Sequence, residues 1–165
     1  MKTLYLFRHG KAASQAPSQT DFDRPLVDKG VERTRRMCRM LADRSIRPDL
    51  LVSSPAARAI QTARIVADAL GVPVEDIVES EWLYSTSAYG YFDIVCKFPQ
   101  EVGSVMIFAH NEAISQFGNF FLREPIDSLP TSGILALEFP VDSWDQLNHH
   151  SRAAEFWTAG PKSVF

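Results

Sequence analysis

The chain has 165 residues, a length suited to one domain, 1–165, that buries most of its apolar surface without cross-links. It is 45% hydrophobic and 22% charged with a net charge of -3, which excludes a general basic nucleic-acid binder but leaves room for a local basic pocket. Cys38 and Cys96 lack zinc-type spacing and are expected as reduced, buried thiols. The apolar run Leu4–Phe7 is too short for a signal peptide, and no stretch approaches a membrane span, so a cytoplasmic protein is expected.

In chain order, "TLYLF" reads as the first strand and residues 11–27 as a loop carrying Pro17 and Pro25. From Asp28 to Arg44 the positions Val31, Cys38 and Leu41 share one face of an amphipathic helix. Its run of Arg33, Arg35, Arg36 and Arg39, continued by Arg44 and Arg47, reads as a solvated face with a Glu32–Arg36 pair. "DLLVSS" is the second strand, and Pro55 opens a helix as a first-turn proline. Ile60, Ala63, Ala67 and Leu70 form that helix's buried stripe, and Gly71 stands at its C-cap. "EDIVE" is a short strand or extended piece, and residues 87–97 are predicted helical. "SVMIFA" is the most apolar strand and is expected at the centre. Residues 111–122 return to helix with Ile114, Phe117 and Phe121 inward, and "ILALEF" and "AAEFW" close the pattern as strands. His149 and His150 fall in the turn before the last strand, with no shared metal expected. The alternation predicts a three-layer α/β/α sandwich around a mostly parallel sheet, whose ligands bind at the carboxyl ends of the strands.

Three predicted strand ends carry cations or imidazoles. Arg8, His9 and Gly10 follow the first. Ser53, Ser54, Pro55 and then Arg58 follow the second. His110 and Asn111 follow "SVMIFA". Parallel strands bring these ends to one edge. Two guanidiniums and two imidazoles there suit a phosphoryl group and its oxygens. A neutral imidazole can attack phosphorus and carry it as phosphohistidine, and neighbouring cations favour the neutral ring. No metal or other cofactor is needed in such a scheme, because the cations stabilise the charge.

"FRHGKA" resembles the Arg-His-Gly signature of the histidine phosphatase superfamily, which also contains the phosphoglycerate mutases. "DFDRPLVDKG", "LVSSPAARAIQTA", "LY" at 83–84, "FAHNEA", "LPTSG" and the late "PK" resemble its short SixA-type phosphohistidine phosphatase branch. The resemblance runs from residue 3 to about residue 163. It implies a phosphoglycerate-mutase-like fold. It also implies a phosphorylated nucleophile at His9 and a phosphate pocket completed by Arg8, Arg58 and His110. Arg24 would bind at the rim. Gly10, where a side chain would crowd the phosphoryl group or the turn aiming His9, and Asn111, which would orient His110 or cap the next helix, complete the expected substrate site. The implied partner is a phosphorylated protein, such as a histidine-phosphotransfer domain in signal transduction, or a small phosphorylated metabolite. A phosphate-binding regulatory module without turnover is the reading from another class.

Two positions depart from the branch. Val27 stands where Thr or Ser precedes the helix, which weakens the cap, and Glu112 stands where Pro follows His-Asn. The proton donor is open: Glu81, Glu112, Asp21 and Asp23 are the candidates, and a weak or missing acid points to phosphohistidine rather than to alcohol phosphates. No long insertion covers the expected pocket, so an open site is expected. Trp82, Tyr84, Tyr89 and Tyr91 are read as flanking it or as packing.

Overall fold

Strand β1 (Lys2–Arg8) runs through the middle of the molecule because both of its faces are apolar. Leu4 and Leu6 enter one core, while Tyr5 and Phe7 enter the other. Strand β4 (Ser104–Ala109) repeats this: Val105, Ile107 and Ala109 face the first core, Met106 and Phe108 the second. A strand buried on both faces needs helices on both sides. The computed structural model describes residues 1–163; Val164 and Phe165, the end of the expected 1–165 domain, lie outside the described residues.

The six-stranded sheet has the order β3-β2-β4-β1-β5-β6, with β2 (Leu50–Ser53), β3 (Val78–Glu79), β5 (Ile134–Phe139) and β6 (Glu155–Ala159) completing it. Strands β3, β2, β4 and β1 pair in parallel, β5 runs antiparallel to β1, and β6 runs antiparallel to β5. The sheet is thus mostly parallel, with "ILALEF" the reversed strand. Helices α1 (Asp28–Asp43) and α2 (Ala57–Leu70) cover one face through Met37, Leu41, Ile60 and Val66. Helices α4 (Gly90–Val95) and α5 (Ala113–Asn119) cover the other through Tyr91, Val95, Ile114 and Phe117.

Several boundaries differ from the sequence reading for local reasons. Pro55 precedes the N-cap Ala56 rather than entering the first turn of α2. Gly71 takes φ +70° at the C-cap, a left-handed conformation that glycine adopts at little cost. Helix α5 stops at Asn119 because Phe120, Phe121 and Leu122 tighten into i→i+3 bonds. "EDIVE" is a 3₁₀ turn at Val74–Asp76 followed by the two-residue strand β3. A four-residue helix α3 (Trp82–Ser85), too short to show a period, was not expected. Val27 supplies no side-chain cap to α1, as its apolar side chain dictates. Arg36 pairs with Glu32 at 3.0 Å. Cys38 is buried and Cys96 only half-buried, and both are free. His149 and His150 lie exposed in a turn. No helix among the described residues is long and apolar enough to cross a membrane.

The 11–27 loop is closed at its neck. Val27 N–H donates to Lys11 O at 3.0 Å, Ala13 N–H donates to Pro25 O at 2.8 Å, and Ala12 bridges Leu26. Gly30 of α1 lies against this neck so closely that a Cβ there would stand 2.2 Å from Lys11 O. The loop also holds a 3₁₀ turn at Asp21–Asp23.

Candidate active site

The strand register puts the three motif-bearing ends level. Arg8 pairs with Ala109, and Ser53 pairs with Phe108, so residues 9 and 110 leave the sheet side by side and residue 54 leaves it within one register position of them. His9 and His110 come together with ring centroids 5.2 Å apart. Arg58, in the first turn of α2, joins them, and all three are less than 10% exposed.

Each ring has one nitrogen engaged. Nδ1 of His9 donates to Gly10 O at 2.7 Å, since a carbonyl can only accept, and Nε2 is left with its lone pair. Nε2 of His110 lies 2.7 Å from Ser54 Oγ, and its Nδ1 is buried without a partner among the described residues. Nε of Arg8 and Nε of Arg58 are likewise buried with no acceptor. The other ends of both guanidiniums are occupied. Arg8 donates through Nη1 to Leu129 O at 2.6 Å. Arg58 donates to Asp21 O at 2.8 Å and to Asp21 Oδ2 at 3.0 Å.

Asp21 gathers the rim. Its Oδ2 also accepts the Tyr84 hydroxyl at 2.9 Å, and its Oδ1 lies 3.0 Å from Arg24 Nε. The Arg24 contact is an ion pair rather than a hydrogen bond, because that Nε has no well-directed acceptor. Arg24 also donates to Ala13 O at 3.2 Å. Tyr84 stands edge-on to His110 with centroids 5.6 Å apart, and Phe22 packs edge-on against Tyr84 at 5.2 Å. The Asp21–Phe22 turn and Tyr84 thus stand at the rim beside His110, without any long insertion. Tyr91 is core packing, stacked on Phe117, whereas Trp82 and Tyr89 are exposed.

The electrostatics follow from burial and cation density. Burial lowers His9 to about 4, with Arg58, Arg8 and Arg24 adding to it against the Gly10 bond. Burial lowers His110 to about 3, helped by His9, Arg58 and Arg24 against Asp21. Burial also lowers Arg8 from its ordinary value. Partial burial acts to raise Asp21, but the hydrogen bonds from Tyr84 and Arg58 and the charges of Arg58 and Arg24 outweigh it and hold the carboxyl low. Both imidazoles are thus neutral at neutral pH.

A stability consequence follows. The folded values of both rings lie below the ordinary 6.5, so between 6.5 and about 4 the unfolded chain binds more protons. Stability should fall as pH drops through this window, by at most about 1.4 kcal/mol per pH unit for each ring. Urea denaturation at pH 7, 6 and 5 measures it; a flat series would contradict neutral burial of the two rings.

Gly10 and Asn111 differ from their expected substrate role. The Gly10 N–H donates to Thr62 Oγ1 at 2.9 Å and its carbonyl serves His9, so neither faces a substrate. A Cβ on Gly10 would stand 2.9 Å from Thr34 Oγ1 and 3.1 Å from Gly30 O, which is protein behind the turn rather than phosphoryl space. Asn111 does not cap α5. Its amide joins Ser128 and Ser115 instead, and Ser115 Oγ accepts from Leu129 N–H at 3.0 Å. Because Leu129 O holds Arg8, Asn111 supports the arginine at second hand. Glu81 and Glu112 are exposed with no bond into the site, and Asp23 bonds Thr20.

Two contributors, Thr62 and Ser54, had no assigned role in the sequence reading, and a third, Asp21, was read there only as a candidate proton donor. Thr62 also donates to Arg58 O at 2.7 Å and so ties the His9 turn to the Arg58 helix. Its i+4 spacing from Arg58 was the available signal. Ser54 was visible inside "SSP", and Asp21 stood one turn before Arg24.

The sheet order, the three-layer arrangement and the level strand ends define a phosphoglycerate-mutase-like α/β protein with a cation-lined crevice. The Histidine phosphatase superfamily (branch 1) profile matches residues 4–80. The SixA protein of Agrobacterium tumefaciens superposes with TM-score 0.78 at 32% identity, over 96% of this chain and 99% of that one. The chain belongs to the histidine phosphatase superfamily, in its SixA-type branch. A tungstate complex of the protein histidine phosphatase SixA has TM-score 0.76 at 23% identity over 97% of both chains, a likeness of fold. The 2,3-bisphosphoglycerate-dependent phosphoglycerate mutase of Thermobifida fusca is 37% identical over 92 residues, which are 54% of this chain and 37% of that protein. An uncharacterized protein of Picosynechococcus is 44% identical over 66 residues, 40% of each chain. This chain thus matches well under two thirds of the length of these curated relatives.

Proposed function

We propose that this protein is a phosphatase that carries the phosphoryl group covalently on His9 and takes it from phosphohistidine on another protein. The observation that carries the reading is the donor set: acceptor-free N–H groups of Arg8 and Arg58 and the unpartnered Nδ1 of His110, buried beside an imidazole whose own Nδ1 is engaged. Such donors match phosphoryl oxygens, and they are already oriented when the group arrives.

In the first step Nε2 of His9 attacks phosphorus in line with the leaving ring. The P–N bond to the substrate breaks, and its electron pair stays on the departing nitrogen. A substrate ring protonated on its other nitrogen leaves as neutral imidazole, so the enzyme supplies no proton. In the second step water attacks phosphorus and the P–Nε2 bond breaks. Its electron pair returns to His9, and dihydrogen phosphate departs. Arg8, Arg58 and His110 stabilise the charge on the equatorial oxygens in both steps.

The proton requirement favours phosphohistidine as the substrate class. An alkoxide leaving group needs an acid. The one candidate carboxyl that touches the site is Asp21, and it is held ionised. The likeness to phosphoglycerate mutases favours the second reading, a small phosphoester. Comparing kcat/KM on a phosphohistidine-bearing protein with that on 3-phosphoglycerate separates them. Phosphohistidine should be faster, and EDTA should leave its rate unchanged; faster phosphoglycerate turnover, or a rate abolished by chelation, would overturn the proposal.

A further inference from the structure

His110 can help a phosphoryl oxygen only if the nitrogen facing it carries the hydrogen. A neutral ring has one N–H, so some neighbour must choose its position. We infer that Ser54 is a positioning residue that fixes His110 as the Nδ1–H tautomer by donating its hydroxyl hydrogen to Nε2. The inference rests on the proposed phosphoryl site but concerns the ring itself.

Ser54 is fully buried and cannot drift. Its backbone N–H donates to Phe108 O at 2.9 Å, which locks it beside the end of β4, two residues before His110. Its Oγ accepts the Ala56 N–H at 3.3 Å, at the N-terminal end of α2, and lies 2.7 Å from His110 Nε2. Two arrangements exist. If Nε2 carried the hydrogen, Ser54 Oγ would accept twice, and its own buried hydrogen would have no acceptor among the described residues. His110 Nδ1 would then present a lone pair to the anion. If Ser54 donates to Nε2, the hydroxyl, the Ala56 N–H and Nε2 are all paired, and the unpartnered Nδ1 becomes an N–H, the third donor beside the two arginine Nε atoms. The second arrangement leaves no buried hydroxyl hydrogen unpaired and puts no repulsion in the site. His110 stays neutral because burial and the neighbouring His9, Arg58 and Arg24 disfavour its charge, with only Asp21 opposing them.

The one sequence signal is that the last residue before Pro55 is a serine rather than an apolar strand residue. The logic is that of an outer residue setting which nitrogen of a working histidine is free, here through a hydroxyl. Ser54 touches no substrate in this scheme.

Nitrogen-15 imidazole spectra of the intact protein test the tautomer without any substrate. His110 should show a protonated Nδ1 and an unprotonated Nε2. In Ser54→Ala the two nitrogens should move towards averaged or reversed values with the fold intact, and affinity for orthovanadate should drop about 10-fold, the scale of one lost charge-assisted donor. A wild-type ring protonated on Nε2 overturns the inference. So does a Ser54→Ala protein whose ring spectrum is unchanged, whatever happens to its affinity. If the spectra behave as expected and phosphohistidine is not hydrolysed, the proposed function fails and the tautomer assignment stands.

Discussion

A His9→Ala protein should lose phosphohistidine hydrolysis by about 10⁴-fold or more, the scale seen when a covalent catalyst loses its nucleophile. The loss belongs in kcat, because the Arg8 and Arg58 donors that bind the phosphoryl group stay in place. It should come with a second sign. Wild type mixed with a labelled phosphohistidine carrier and quenched within a turnover should hold an acid-labile, base-stable label, and His9→Ala should hold none. Label persisting in the variant would move the nucleophile elsewhere, with His110 the only other imidazole in the crevice. The variant should fold, since His9 contributes one side-chain bond, to Gly10 O, while Ser132 and Ala109 hold the His9 backbone.

Arg58→Lys is the second large loss, at about 10²–10³-fold in kcat/KM. Lysine keeps the charge and loses the fork. In the wild type, two terminal nitrogens are held by Asp21 while Nε remains free and buried. One ammonium cannot grip the carboxylate and face the phosphoryl group with that division of labour. Steady-state kinetics should show kcat falling more than KM rises, because the donor matters most where charge spreads over the phosphoryl oxygens. Circular dichroism should stay native. A variant within a few-fold of wild type would show that charge alone suffices and that the guanidinium geometry is incidental.

The layers were legible because Leu4, Leu6 and Phe7, and likewise Val105 through Ala109, give a continuous apolar run that only a doubly covered strand tolerates. Arg8, His9, Arg58 and His110 were legible because each ends a strand, directly follows one or opens the helix after it. The direction of β5 was not, since "ILALEF" reads as equally apolar whichever way it runs. Nor was the meeting of Asp21 and Tyr84 at the rim of the site. Asp21 and Tyr84 lie 63 positions apart, one in a 3₁₀ turn and one in a four-residue helix, and neither element has a period to read. Gly10 and Asn111 were placed at the right address with the wrong neighbours, because which backbone or amide group a side chain meets depends on loops such as 128–132 that arrive from far along the chain.

The clamped neck of the 11–27 loop separates its evolution from that of the nucleophile. Lys11 and Val27 are joined, and Gly30 presses against the junction, so the distance between the loop's two feet is set by the helix beneath and not by the loop's contents. Closing a longer loop across fixed feet costs only about 0.6 kcal/mol per doubling of length. Insertions or deletions among the exposed residues 14–18 are therefore cheap for His9. What they change is where Asp21 and Arg24 arrive over the crevice, so that a lineage can retune what enters the site by editing a stretch that never touches the reacting atoms.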